Sequence, residues 1–378
     1  MSWLTGVGAT AFGRLPGRST LDLMATAAEL AVADAELTRG QVDGLLCGYS
    51  TTLPHLMLGT AFAEHFGLSP SYAHGVQVGG ATGLAMLMLA DELVGSGVCR
   101  HVLVVAGENR LSGQSPDEAV RSLAQIGHPR YELPFGPTIP AYYALVASRY
   151  MNRFGIREED LAELAVVMRE HAGRHIGAHR REPITVNEVM HSRSIASPLK
   201  LFDCCPVSDG GAAFVVSRER SSGIGVRVLG CGQAHTHQHV TAAADLTVFG
   251  AHISLARASA RAGANASDVR YAAVYDSFTI TLAILLEELG LAKRGESAAR
   301  ARAGDFGLTG RLPLNTHGGL LSYGHCGSGG AIAHLVETHL QMTGRAGERQ
   351  VRDASVALLH SDGGVLSSHV TAFLERVH

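Results

Sequence analysis

The run AHGVQVGGATGLAMLMLADEL, residues 73–93, passes from an alternating apolar segment through a Gly-Gly-Ala-Thr-Gly turn into a long apolar stretch. Alternation at period two predicts a strand and the apolar stretch a buried helix, so the turn sits where a strand end feeds a helix N-terminus. A fold builds a seat for a reactive side chain in this way, yet the turn carries none, and Gly80 stands in the middle of it. A second run, GSGGAIAHLVETHLQM at residues 327–342, repeats the pattern of glycine-rich turn and apolar helix. Small residues let two such helices approach closely, and the pair points to an internally duplicated chain.

The remaining sequence extends this reading. Short β-type runs (WLTGVGATA, VDGLLCGY, AHGVQV, HVLVVAGE and AAFVVS) alternate with amphipathic stretches such as LDLMATAAELAVADA, the pattern of an α/β protein. A second series (VRVLGCGQA, AAVYDSF, SVALLHSD and HVTAFLERV) follows the polar, glycine-containing junction RERSSGIG. That junction, near Ser222, predicts an N-terminal half over residues 1–222 and a C-terminal half over 223–378. Within the first half, roughly 85 residues at about 111–200 are rich in Arg, His and Tyr and lack regular alternation, which predicts a loop or lid excursion that carries specificity.

The 378-residue chain is 46% hydrophobic and 17% charged, enough for a large core and for surface hidden in an oligomer. A formal net charge of −3 without a long Lys/Arg block excludes a nucleic-acid footprint. No apolar run approaches the roughly 20 residues of a membrane-spanning helix and the N-terminus lacks a signal-peptide pattern, so a cytoplasmic protein without membrane contact is expected. Six scattered cysteines without CxxC pairs predict reduced thiols.

Polar groups concentrate among glycines in VYDSFT (274–279), NTHGGLLSYGHCGSGG (315–330) and HSDGGVLSSH (360–369). Strand-end loops of this kind converge on a ligand crevice in layered α/β folds. His325 lies at the mouth of the second apolar helix, where backbone N–H groups and the positive dipole end favour a developing oxyanion. Tyr323, two residues earlier, is a phenol able to donate or relay a proton.

NTHGGLLSYGHCGSGG resembles the thiolase-superfamily segment Asn-x-x-Gly-Gly, Gly-His-Pro, Gly-x-Ser-Gly, and VYDSFT is similar to its Asn-Glu-Ala-Phe site in the version of the sterol-carrier-protein thiolase-like branch. FDCCPVSDGGAAFVV and HSDGGVLSSH resemble the strand that ends the first half of these proteins and their C-terminal glycine loop. The resemblance covers essentially the whole chain. It implies a five-layered αβαβα fold of two duplicated halves, a homodimer, and action on acyl-CoA thioesters, with coenzyme A as part of the substrate and no other cofactor. It also places Gly80 where thiolases carry the acylated cysteine, and Ser361 near their second, acid/base cysteine.

Glycine cannot form an acyl-enzyme. What the resemblance leaves is the electrostatic part of the site: His325, Tyr323 and Asp276 as acid/base candidates, with Tyr131 and His128 behind them, and the glycine loops at Gly79, Gly363 and Gly364. Such a site favours a thioester enolate, so retro-aldol carbon–carbon cleavage is the expected reaction, as in the steroid side-chain-cleaving aldolases of this branch, which work with a small OB-fold (DUF35-type) partner. The absent side chain at Gly80 is expected to leave room for a substrate carbon or a water. Two alternatives stand beside it: an acyltransferase using another thiol (Cys326, which replaces the family proline, or Cys204 or Cys205) or a partner's thiol, and a non-catalytic acyl-CoA or lipid-binding subunit. The HTHQH run sets His235, His237 and His239 on one side of an extended strand, a spacing able to hold Zn²⁺; a polar loop without metal is the preferred reading.

Overall fold

The computed structural model describes residues 2–220 and 223–378, so the junction residue Ser222 lies outside the described residues. The first half runs β1 (Trp3–Ala9), α1 (Thr20–Asp34), β2 (Gly44–Gly48), α2 (Leu58–Phe66), β3 (Tyr72–Val76), α3 (Thr82–Gly95) and β4 (His101–Asn109). Helices α4 (Pro116–Ala124), α5 (Ile139–Phe154), α6 (Glu158–Gly173) and α7 (Val186–His191) and the short β5 (Ser194–Ala196) and β6 (Leu199–Lys200) follow before β7 (Asp209–Ser217). The second half comprises β8 (Gly225–His235), α8 (Ala251–Ala262), β9 (Tyr271–Val274), α9 (Thr279–Glu288), α10 (Ser297–Arg302), α11 (Gly319–Ser322), α12 (Ser328–Met342), β10 (Val356–Gly363) and β11 (Ser368–Val377).

The large sheet has the order β3-β2-β4-β7-β1-β8-β11-β10-β9. In the first half β2 pairs parallel with β3 and β4, and β7 pairs antiparallel with β4 and β1. The second half repeats this: β11 is antiparallel to β8 and β10, β10 is parallel to β9, and Ala272 of β9 makes a parallel bridge to Leu314, where the first half has β3. The halves join where β1 pairs with β8 at Trp3–Arg227 and Leu4–Val226, with the Val228 N–H donating to the Ser2 carbonyl at 3.2 Å.

Five layers result. Helices α1 and α2 cover one face of the first half-sheet, packing Met24, Ala27, Ala31 and Phe62 on Leu45, Leu103 and Val105. Helices α3 and α12 fill the space between the half-sheets, where Leu84, Met86, Ile332 and Leu335 meet Val104, Phe214, Leu359 and Ala372. Helix α12 is buried on every side, including its polar His334, Glu337, His339 and Gln341, and α3 over most of its length. The two helices touch: a Cβ at Gly83 would lie 3.0 Å from the Ile332 side chain. Helices α8 and α9, with α5 and α6, cover the outer face of the second half-sheet.

The excursion expected as loops is largely helical. Tyr142, Tyr143, Val146, Ala147 and Tyr150 are buried on one face of α5, a helical spacing that the surrounding Arg, Asn and Pro residues disguise. Among these, Tyr150 donates to Glu287 of α9 at 2.5 Å, and Ser297 at the start of α10 donates to the same carboxylate oxygen at 2.6 Å. The region is therefore fixed to the second half.

Candidate active site

The N-termini of α3 and α12 and the loops after β9 and β10 come together. Thr82 ties the first turn by accepting the Val78 N–H at 2.9 Å and donating to the Gly79 carbonyl at 2.6 Å. The glycine loops abut: a Cβ at Gly79 would stand 2.9 Å from the Gly364 nitrogen, and one at Gly363 would stand 2.1 Å from the Val78 carbonyl.

Gly80 is packed against a side chain outside the expected set. A Cβ there would lie 2.2 Å from the Tyr275 hydroxyl and 2.5 Å from the Asp362 carbonyl. The expected room for a substrate carbon or a water is thus taken by a phenol. A β-carbon and the Tyr275 ring cannot occupy this space together.

The Tyr275 hydroxyl is 2.9 Å from His325 Nε2, and the Gly327 N–H donates to His325 Nδ1 at 3.1 Å. A neutral imidazole that accepts at Nδ1 carries its proton on Nε2, so His325 donates to Tyr275. Burial, then the charge of Arg110, pulls the His325 pKa down to about 3, and the ring is neutral at physiological pH. Burial, then nearby Asp362, pushes the Tyr275 phenol well above its usual range. With the imidazole donating to its oxygen, the phenol proton is free to be given to a ligand.

Asp362, at the end of β10, supplies a group that can change charge near neutrality. Burial pushes its carboxyl up to about 7 against the opposing Leu366 N–H and Tyr143 hydroxyl. The Tyr143 oxygen lies 3.5 Å from Oδ2 and donates to the Gly364 carbonyl at 3.1 Å, while Oδ1 is buried without a partner. Its neighbour Ser361 is also buried, but strand alternation turns its side chain to the opposite face.

The other expected residues are placed differently. Asp276 faces α11, where Oδ1 accepts the Leu320 N–H at 2.7 Å and stands 3.4 Å from His334 Nε2, so its carboxylate fixes the loop that leads to His325. Burial raises its pKa, and these contacts oppose the rise. Tyr323 is not joined to the Tyr275–His325 pair: its hydroxyl donates to the Thr10 carbonyl at 3.2 Å, and its ring packs on Phe12, His175 and His317. The intervening Gly324 adopts a positive φ of 127°, and the side chains of residues 323 and 325 reach different partners, Thr10 and Tyr275. Cys326 is fully buried in a cluster with Phe12, Ala172, Tyr323 and Ala333. Burial raises its thiol pKa, and it pushes that of Cys205 up to about 12, so neither is an activated thiolate.

His128 and Tyr131 lie on the excursion, their rings 4.7 Å apart and Tyr131 exposed. His128 also meets His239 edge-on at 4.8 Å, and the adjacent Glu132 accepts the Thr241 N–H at 2.9 Å, clamping the excursion to the loop after β8. The HTHQH imidazoles diverge: His235 pairs with Ser368, His237 with the Val365 carbonyl, and His239 with His128. Among the described residues no group of three His, Cys, Asp or Glu side chains is arranged to hold a metal ion.

Tyr275 and Asp362 both lie inside motifs already quoted. A titratable side chain beside a glycine loop was the available signal for Asp362; for Tyr275 there was none, since only the folded chain brings it to Gly80.

A duplicated five-layer α/β fold with a histidine at a helix mouth between two glycine loops defines a thiolase-type site. The chain belongs to the thiolase family: residues 4–220 match the thiolase N-terminal domain and residues 232–376 the thiolase C-terminal domain-like family. It is 33% identical over 360 residues to a steroid side-chain-cleaving aldolase of Thermomonospora curvata, covering 88% of each chain. It is also 30% identical over 368 residues to an acetyl-CoA acetyltransferase of Methanothermobacter thermautotrophicus, covering 95% of each. The solved structure of an Ltp2-ChsH2(DUF35) aldolase superposes with a TM-score of 0.86 at 31% identity, over 99% of this chain and 97% of that one. The relatives are thiolase-superfamily enzymes, both carbon–carbon lyases and acyltransferases. Among the described residues no helix is long and apolar enough to cross a membrane.

Proposed function

We propose that the protein cleaves a β-hydroxyacyl-CoA thioester by a retro-aldol reaction. The observation that carries this reading is the Tyr275 hydroxyl standing against Gly80 and bonded to His325, which on the thiolase resemblance sets a proton donor where a nucleophile would be. In the proposed step Asp362 takes the β-hydroxyl proton, the bond between the α- and β-carbons breaks, and the β-carbon leaves as a ketone or aldehyde. The electron pair moves onto the thioester as an enolate, which Tyr275 protonates while His325 donates to the phenol oxygen. Donors aimed at charge that appears only as the bond breaks lower the barrier selectively. Asp276 acts as a positioning residue through α11. The absence of an activated thiolate among Cys205 and Cys326 weighs against acyl transfer through these thiols.

The same proposal includes a homodimer and a small OB-fold partner. The DUF35 component of the superposed Ltp2-ChsH2 aldolase supports the partner, and β3, the half-exposed edge of the sheet, offers unpaired backbone to a second copy. Incubation with β-hydroxyacyl-CoA panels, with and without the partner, should release a ketone or aldehyde and a shortened acyl-CoA detectable by mass spectrometry. Thiolysis by free CoA in place of that release would sink the reading.

A further inference from the structure

Glu108, in β4, and Arg110, just beyond its end, take no part in the proposed step. Glu108 is fully buried; its Oε2 accepts the Thr51 N–H at 2.9 Å and the Thr51 hydroxyl at 2.5 Å, and its Oε1 has no partner. The Arg110 side chain is only 9% exposed, and its Nε is 3.8 Å from Glu108 Oε2, close enough for charge pairing but too far for a hydrogen bond. Nε is buried without an acceptor, and among the described residues the guanidinium has no other ionic or hydrogen-bonding partner. The pair sits beside the reacting groups: a Cβ at Gly327, the N-cap of α12, would lie 2.0 Å from Glu108 Oε1, and Gly327 is the residue that bonds His325. Arg110 is also close enough to help hold the His325 imidazole neutral.

A guanidinium keeps its charge when buried and presents five N–H donors in a planar fork. Leaving the buried Nε donor unmet is costly, and Glu108 does not meet it at 3.8 Å, because the hydrogen bonds at its Oε2 come from Thr51. The fork matches a carboxylate, which accepts two parallel N–H bonds. We propose that Arg110 binds a carboxylate on the acyl group, so that the substrates are CoA monothioesters of dicarboxylic acids. This rests on the reading that the ligand is an acyl-CoA. The depth of Arg110 beside His325 favours the acyl group over the coenzyme phosphates as the source of the anion.

The test is calorimetric binding to the full-length protein of two unreactive CoA thioethers, one whose chain ends in a carboxylate and one in its methyl ester. The protein should prefer the carboxylate by at least about tenfold. Arg110→Gln should reduce the ratio to below about threefold, and Glu108→Gln should widen it by removing the competing anion. Equal affinities in the parent protein overturn the proposal, a readout that stands even if Arg110→Gln fails to fold. So does loss of both affinities in parallel in Arg110→Gln, which marks a structural arginine. Weakened binding of free CoA or inorganic phosphate in Arg110→Gln with an unchanged ratio assigns the fork to phosphate and also overturns it. No turnover is involved, so these outcomes are separate from failure of the retro-aldol reading.

Discussion

At the scale of single residues, a side chain at position 80 and the Tyr275 phenol are sterically exclusive. Gly80→Cys alone should not create a thiolase. Its β-carbon must displace the phenol, with a stability loss of about 1–3 kcal/mol in a denaturant titration. Pairing it with Tyr275→Asn should recover part of that loss, since the contact with the Asp362 carbonyl remains, and expose a thiol that iodoacetamide labels, seen as a mass shift; full stability of the single variant would refute the packing argument. Tyr275→Phe should reduce kcat by about 100-fold or more with little change in KM, as expected when a transition-state donor is removed. Asp362, with a carboxyl pushed up to about 7, should make kcat/KM rise with pH through that value and then level off. The sign for stability is opposite: a carboxyl raised in the folded state holds its proton longer there, so its contribution is present at low pH and lost as pH rises through about 7. Asp362→Asn should therefore be more stable than the parent at pH 8, by on the order of a few kcal/mol, with the difference shrinking towards pH 4.

At the scale of elements, the helical excursion explains how a region without sequence regularity can build one wall of the site. Helix α5 carries both Tyr143, which faces Asp362, and Tyr150, which is bonded to Glu287. Tyr150→Phe removes a hydrogen bond to a buried carboxylate and should cost about 1.5–3 kcal/mol in chemical denaturation. Through α5 it should also disturb the Asp362-dependent pH profile. A stable variant with an unaltered profile would show that α5 is not mechanically tied to the site. The paired glycine-opened helices α3 and α12 were legible from their repeated pattern, because a glycine-rich turn that opens a largely apolar helix marks one that packs closely in the interior. The excursion was not, since its apolar face is narrow and its Tyr residues read equally as surface or core.

At the scale of the whole molecule, the interior holds an unusual load of imidazole. Burial pulls His171, His175 and His369 down to about 4. The unfolded chain takes up these protons near the ordinary value of about 6.5, so stability is full above that pH and is lost as pH falls from about 6.5 to 4, by up to about 3 kcal/mol per ring. The melting temperature should therefore drop steeply between pH 7 and 5, and His171→Leu should flatten the slope; a flat parent curve would contradict the assignment. The sequence by itself determined the duplicated α/β architecture and the loops that converge on the site, because these rest on local periodicity and on which side chains are present; the reading of Gly80 as an emptied nucleophile position came from the resemblance to thiolases. Only the tertiary structure decided what fills the space at Gly80, that His325 donates rather than accepts, that Asp362 rather than Ser361 titrates there, and that Tyr323 turns away. These depend on contacts between residues far apart in the chain and on the desolvation that closing the fold imposes on them, and neither is encoded in the spacing of any one motif.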